Sequence, residues 1–330
     1  MGGSAFGFTA DRFTTAEFNE VAMTIATSLV DRSDKFEKMP QPILSYRQKE
    51  THGDMDLVYS GNPDILMEIL YENNIITDHK RNGPVTSMLF PYGGRKFQLD
   101  FINVPPESHN FAFNYFCWND LGNLIGRLAH RIGLKFAFTG LWYVCRDKNN
   151  TKILGEILLT NDFDAALTYL DLNVARFHQG FDSLEEIFEF VVESKFYDYE
   201  SVDIERRNNV ARTRDKKRST YNAYLKWLKK QGLDCYNLAL PPKHTFLKQH
   251  IERFPHLGTK INELEEKERR NMTIKSKFNG DIVSEVTGLT GKELGQFMAH
   301  CKNQTWFQLV EDLTDVEIRH LINKEFTSYR

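Results

Sequence analysis

Cysteine is scarce in this chain. Cys117, Cys145, Cys235 and Cys301 are the four among 330 residues, spaced too widely for a disulfide framework or a zinc knuckle. They read as buried or incidental thiols, and a chain built without disulfides fits a reducing, cytoplasmic compartment. Long apolar runs are also missing. The longest, from about Leu134 to Val144, is broken by Lys135 and falls well short of the ~18 residues of a membrane span. Met1-Gly2-Gly3-Ser4 has no basic segment leading into an apolar one, so neither membrane insertion nor secretion is expected. Charge of one sign is lacking too. With 42 Lys and Arg against 45 Asp and Glu, the formal net charge is −3, so any nucleic-acid contact must come from local patches. His130, His244, His250, His256, His300 and His320 show no metal-ligand spacing. What remains is an ordinary soluble composition, long enough for two or three domains with cores of their own.

Against this background the run Ser45-Tyr46-Arg47-Gln48-Lys49-Glu50-Thr51-His52-Gly53-Asp54-Met55-Asp56-Leu57-Val58 stands out. Side chains alternate along a strand, so Asp54 and Asp56 share one face while Met55 and Leu57 face a core. Two carboxylates in one small space raise each other's pKa unless a cation sits between them, and oxygen ligands suit Mg²⁺. A third carboxylate arrives in Arg95-Lys96-Phe97-Gln98-Leu99-Asp100-Phe101-Ile102, where Gln98 and Asp100 share the face opposite Phe97, Leu99 and Phe101. A Gly-Asp turn entering a strand would account for Gly53-Asp54-Met55-Asp56 alone; the third strand-borne aspartate favours a metal site. Two Mg²⁺ ions ~4 Å apart, or Mn²⁺ in their place, would activate an attacking hydroxyl and stabilise a leaving pyrophosphate.

These segments resemble the polymerase-beta-like nucleotidyltransferases, and within them the family X DNA polymerases. Ser45-Tyr46-Arg47 followed by Gly53-Asp54-Met55-Asp56 is similar to that family's Gly-Ser-Phe-Arg-Arg and Gly-Asp-Met-Asp segments. The resemblance implies that Ser45, Arg47, Lys49 and Gly53 hold the triphosphate, and that Asp54, Asp56 and Asp100 are both catalytic residues and metal ligands. Tyr115-Phe116-Cys117-Trp118-Asn119-Asp120-Leu121-Gly122-Asn123 resembles the family's Tyr-Phe-Thr-Gly-Ser-Asp-x-x-Asn, which implies that Tyr115 and Phe116 lie under the sugar and that Asp120 and Asn123 line the base. Arg127 falls where the family places an arginine that approaches the template. Phe181-Asp182-Ser183-Leu184-Glu185-Glu186-Ile187-Phe188-Glu189-Phe190 resembles the last helix of the nucleotide-binding lobe. The likeness runs from about residue 43 to 207 in matching order. It departs in places: Leu44 replaces a glycine, the segment before Asp54 is one residue shorter, and Gln98 and Ile102 replace arginines. Trp118 replaces a glycine in the sugar-binding turn, where a bulky side chain disfavours the same backbone shape.

Helical spacing of Phe18, Val21, Ala22, Ile25 and Leu29 predicts a helix over Thr15–Val30 with Thr14 or Thr15 as cap. Further helices are expected over Asp64–Asn74 and Asn119–Ile132, and alternating strands and helices predict a mixed sheet. From Asn208 the chain turns basic, with Arg206 and Arg207 leading into Arg212, Arg214, Lys216, Lys217 and Arg218. Tyr221, Tyr224, Leu225 and Leu228 follow at helical spacing. Phosphate contact by Arg212, Arg214, Lys216, Lys217 and Arg218 is the functional alternative to a solvated helix face. Glu263–Arg270 predicts an exposed helix. Phe278–Val283 with Thr290–Met298 resembles, over a shorter stretch, the helix-turn-helix of tRNA nucleotidyltransferases and bacterial poly(A) polymerases, with Gly291 and Gly295 permitting close helix packing.

The fold expected is α+β: a polymerase-beta-like mixed sheet with flanking helices, followed by a mostly helical C-terminal region. Three parts are expected, a catalytic domain over 1–107, a nucleotide-binding lobe over 108–207 and a partly basic helical domain over 208–330. The expected activity adds nucleoside monophosphates from nucleoside triphosphates to the 3′-hydroxyl of DNA, or of a tRNA in the alternative. A non-catalytic nucleic-acid-binding protein, or a transferase acting on protein, is the remaining class.

Overall fold

A computed structural model describes residues 5–206, 208–236 and 239–329; Arg207 of the basic run lies outside them. Its contacts form two compact units, one running to Val144 and including Glu156–Phe254, the other made of Cys145–Gly155 and the chain from Pro255.

In the first unit, Phe13–Thr14 (β1) leads into Thr15–Val30 (α1). Thr14 caps that helix in a reciprocal exchange with Glu17, satisfying two backbone donors the helix leaves open. Then come Phe36–Pro42 (β2), Thr51–His52 (β3) and Met55–Gly61 (β4). Pro63–Glu72 (α2) follows, capped by Asn62 with proline at its first position. Asp78–Asn82 (β5), Val85–Tyr92 (β6) and Arg95–Asn103 (β7) complete a five-stranded sheet of order β2-β4-β7-β6-β5. Only β4 and β7 in this sheet run parallel; the other neighbours are antiparallel. Met55, Leu57, Tyr59, Phe97, Leu99 and Phe101 enter one core with Val21, Ile25 and Leu29 of α1 and Leu66, Ile69 and Leu70 of α2. Burying that face fixes the register of both strands and sends Asp56, Gln98 and Asp100 to the other one.

His109–Phe116 (α3) and Leu121–Arg131 (α4) come next. The second helix starts two residues later than its apolar spacing predicts, because Trp118 and Asn119 take left-handed backbone at φ 63° and 61°. Leu134–Ala137 (β8), Gly140–Arg146 (β9) and Ile153–Thr160 (β10) form a second sheet of order β10-β9-β8. Short helices follow: Phe163–Tyr169 (α5), Val174–Gln179 (α6), Leu184–Val192 (α7) and Tyr199–Val202 (α8). The basic segment is two helices, Asn209–Lys216 (α9) and Ser219–Gln231 (α10), followed by Leu247–Arg253 (α11). It belongs to the first unit rather than to the helical region beyond Phe254. The cause is apolar: α10 buries Tyr221, Tyr224 and Leu228, and the Tyr224 ring lies 5.1 Å from that of Phe188 on α7.

The second unit holds His256–Lys277 (α12), Gly280–Thr287 (α13), Gly291–Lys302 (α14) and Asp315–Tyr329 (α15). Phe278, Val283, Phe297, Cys301, Val310, Ile318 and Ile322 form its core. The close packing expected at Gly291 and Gly295 is not found: a Cβ at either would meet nothing within 4 Å. α14 buries Phe297 and Cys301 instead. All four cysteines are free, and three are buried. Among the described residues no helix is long and apolar enough to cross a membrane.

Candidate metal centre

Asp56 and Asp100 stand opposite one another in the parallel β4–β7 register, and Asp54 immediately precedes β4. One oxygen from each of the three half-buried carboxylates lies within 4.8 Å of the others. Among the described residues no other three His, Cys, Asp or Glu side chains gather in this way. Burial, then Asp54 and Asp100, push the Asp56 carboxyl well above its ordinary value, with Lys49 opposing. Burial also raises Asp100, against hydrogen bonds from Ser87 and Gln98. The Gln98 amide donates to both Asp100 oxygens, at 3.0 and 2.9 Å. A set made only of crowded carboxylate oxygens fits a hard divalent cation such as Mg²⁺ or Mn²⁺, whose charge relieves the repulsion. His52, pushed down to about 4 by burial and by Lys49 and Arg12, stays neutral and adds no positive charge.

Lys49 is the cation the fold directs to this cluster. Its Nζ lies 3.2 Å from Ser45 Oγ, and while burial lowers its pKa, Asp54 and Asp56 pull it back up. Arg47 is engaged elsewhere: its guanidinium binds the Asp182 carboxylate and the Gln179 carbonyl. The backbone N–H groups of Arg47 and Gln48 also donate to the Phe181 and Asp182 carbonyls, each at 3.0 Å. Gly180, at φ 82°, permits this junction, since a Cβ there would stand 2.6 Å from the Trp118 ring and 3.0 Å from Arg47 Nη2. Gly53 occupies the bend between β3 and β4.

Tyr115 and Phe116 end α3 at right angles, ring centroids 5.2 Å apart. Tyr115 also meets Phe136 at 5.5 Å, and Phe116 stacks on Phe138 at 5.8 Å. Trp118, despite its side chain, takes left-handed backbone and donates its N–H to the Leu44 carbonyl at 2.6 Å. Its ring, edge-on to Phe181 at 5.4 Å, supplies the packing that offsets the strained backbone. Gly122 lets α4 begin beneath this turn: a Cβ there would sit 2.2 Å from the Tyr115 carbonyl oxygen.

The expected base-lining and nucleic-acid residues divide. Asp120 accepts from Arg218 at 2.8 Å, which places both in an ion pair. Asn123 Oδ1 accepts from Arg127 at 3.2 Å, while Asn123 Nδ2 and Asn119 Oδ1 are buried with no hydrogen-bond partner. Arg127 does not reach a nucleic acid surface. It is 4 % exposed, bonds to the fully buried Asp215 at 2.9 Å and lies over the Tyr221 ring at 5.2 Å. A guanidinium taken from water holds its position only with such partners. Arg212 is half-buried and binds Glu205 at 3.3 Å. Of the basic run, Arg214, Lys216 and Lys217 are exposed on α9 and just beyond it.

Sequence reasoning missed Ser87 and Gln98 as partners of Asp100, Asn119 as an open acceptor, and Asp182 as the anchor of Arg47. Strand alternation already placed Gln98 on the Asp100 face, a signal for its role; the others depend on tertiary pairing. No protein-family model matches the chain, and no curated protein matches it.

Proposed function

We propose that the protein is a metal-dependent nucleotidyltransferase that adds nucleoside monophosphates from nucleoside triphosphates to the 3′-hydroxyl of a nucleic acid, as a family X-like DNA polymerase does. The observation that carries this is the meeting of Asp54, Asp56 and Asp100 within 4.8 Å on the polar face of a parallel strand pair. Asp54 and Asp56 would hold two divalent ions, with Asp100 on the one nearer the acceptor. When bound, such ions acidify an attacking hydroxyl and neutralise charge on a leaving pyrophosphate.

The chain's own residues have definable parts. Lys49 and Ser45 would bind triphosphate oxygens, with Lys49 linking them electrostatically to Asp54 and Asp56. Arg47 would stiffen the loop beside them through Asp182. Asp100 would accept the proton of the 3′-hydroxyl as its oxygen forms a bond to the α-phosphorus and the bond to the bridging oxygen breaks. The Tyr115–Phe116 pair would support the sugar.

Extension of end-labelled acceptors tests this: a gapped DNA duplex, single-stranded DNA and a tRNA lacking its 3′ end, each with Mg²⁺ and deoxy- or ribonucleoside triphosphates. Template-matched gap filling supports the polymerase assignment. Addition of two C and one A to the tRNA alone would reassign the acceptor, and no extension of any would refute the activity.

A further inference from the structure

We propose that the N-terminal segment completes the acidic centre: the backbone N–H of Ala5 orients the Gln98 amide, and Gln98 in turn holds Asp100, making Ala5 and Gln98 positioning residues. This rests on the metal-centre assignment above.

Ala5 N–H donates to Gln98 Oε1 at 2.9 Å, and Gln98 Nε2 donates to Asp100 Oδ1 and Oδ2 at 3.0 and 2.9 Å. The two ends of an amide differ: its oxygen only accepts, its nitrogen only donates. In a side chain 4 % exposed, the donor at the oxygen decides which end faces the carboxylate. Reversed, the amide would set an oxygen against Asp100 and repel it. Held as found, it fixes both Asp100 oxygens without adding positive charge.

The segment is itself anchored to β7, which carries Asp100, and to β3, the short strand that leads into Asp54. On the β7 side, Asp11 N–H donates to the Lys96 carbonyl at 3.0 Å, and Lys96 N–H returns to Asp11 Oδ2 at 2.9 Å. Lys80 Nζ reaches the Ala5 carbonyl at 3.1 Å and lies 5.3 Å over the Phe6 ring, as Lys96 does over Phe8 at 5.7 Å. On the other side, Arg12 donates to the Thr51 carbonyl at 2.9 Å, in the strand that turns into Asp54. These contacts deliver the Ala5 N–H to one place, the buried amide behind the third aspartate.

Ala5→Pro deletes the donor at an exposed position, Gln98→Leu deletes the relay, and Gln98→Arg supplies a donor to Asp100 that needs no partner on the segment. Calorimetric Mn²⁺ binding is measured for each and for the Ala5→Pro/Gln98→Leu double variant, alongside kcat and triphosphate KM in extension assays. Thermal melting checks that each is folded. Loss of a residue that orients a metal ligand typically costs about 10–100-fold in affinity or activity. Gln98→Leu is expected in that range and Ala5→Pro several-fold, both in Mn²⁺ affinity and kcat, with triphosphate KM little changed. The double variant should be no worse than Gln98→Leu, and Ala5→Pro should have no effect on a Gln98→Arg background. Wild-type Mn²⁺ affinity in Ala5→Pro, or effects that multiply in the double variant, would overturn the proposal while leaving the metal centre standing. A native chain that binds no Mn²⁺ would overturn both.

Discussion

Three carboxylates whose oxygens lie within 4.8 Å of one another oppose folding when all are ionised, so the proposed metal ligands work against the fold without a cation. Asp56→Asn should abolish nucleotide transfer without lowering the melting temperature in metal-free buffer. Saturating Mg²⁺ should raise the melting temperature of the native chain and leave that of the variant nearly unmoved, since only a ligand that binds the folded state stabilises it. A variant that melts well below the native chain without metal would show Asp56 to be structural instead. Lys49 is the second residue-scale test. Deleting its charge with Lys49→Met should raise triphosphate KM about 10–100-fold, the equivalent of a charge-assisted hydrogen bond. Arg47→Met should act mainly on stability, because its partners are Asp182 and Gln179. The aspartates were legible in the sequence because strand alternation alone places them on the face away from Met55, Leu57 and Leu99. Arg127 was not: its partner Asp215 lies 88 positions further on, and nothing local to an arginine on a helix marks it as buried.

The helix starting under the aromatic turn shows the same limit among elements. Apolar spacing predicts α4 from Asn119, yet tertiary contacts hold Trp118 and Asn119 in left-handed backbone and delay it to Leu121. α1, whose cap and apolar stripe both lie within its own segment, matches its predicted span. Gly122 is the hinge of the arrangement. Gly122→Ala would put a carbon 2.2 Å from the Tyr115 carbonyl oxygen, so the turn must open. Overpacking of this kind costs about 1–3 kcal/mol, measurable by urea denaturation, and should raise triphosphate KM by displacing Tyr115. Another element, α11, is held by His250, whose Nε2 faces the Ile132 carbonyl at 2.8 Å and whose other nitrogen faces Tyr169. The Ile132 carbonyl can only accept, so Nε2 carries the proton, Nδ1 is left as acceptor, and the Tyr169 hydroxyl, which burial keeps protonated, donates to it. Burial lowers the His250 pKa below its ordinary 6.5, so the unfolded chain binds its proton first. The stabilisation is fully present above pH 6.5 and is lost as pH falls from there through the lowered folded value. Urea stability should decline over that range, less steeply in His250→Gln. The remaining slope includes His52 and His109, which burial shifts in the same direction, opposed by Asp56 and Asp100, whose raised carboxyls favour the folded state as pH falls. Equal slopes in the two chains would show that His250 titrates alike folded and unfolded.

For the molecule as a whole, a net charge of −3 leaves nucleic-acid affinity to local patches. Arg212 and Arg218, paired with Glu205 and Asp120, subtract from the patch expected of the basic run, while Arg214, Lys216 and Lys217 stay at the surface. Replacing those three with Ala should weaken binding and reduce the slope of log affinity against log salt by about 2–3, one released counterion or slightly less per lost phosphate contact. An unchanged slope would return the run to a solvated face. The division of the chain was harder to foresee than its elements. Composition marks a change near Asn208, but packing of Tyr221, Tyr224 and Leu228 keeps that segment in the first unit. The central claim, that Asp54, Asp56 and Asp100 form the catalytic centre of a nucleotidyltransferase, is tested most directly by extending end-labelled 3′ acceptors with Mg²⁺, using the native chain and Asp56→Asn side by side. The native chain should add nucleotides and a folded Asp56→Asn none; a native chain that extends no acceptor, or a variant that extends them equally well, would refute the assignment.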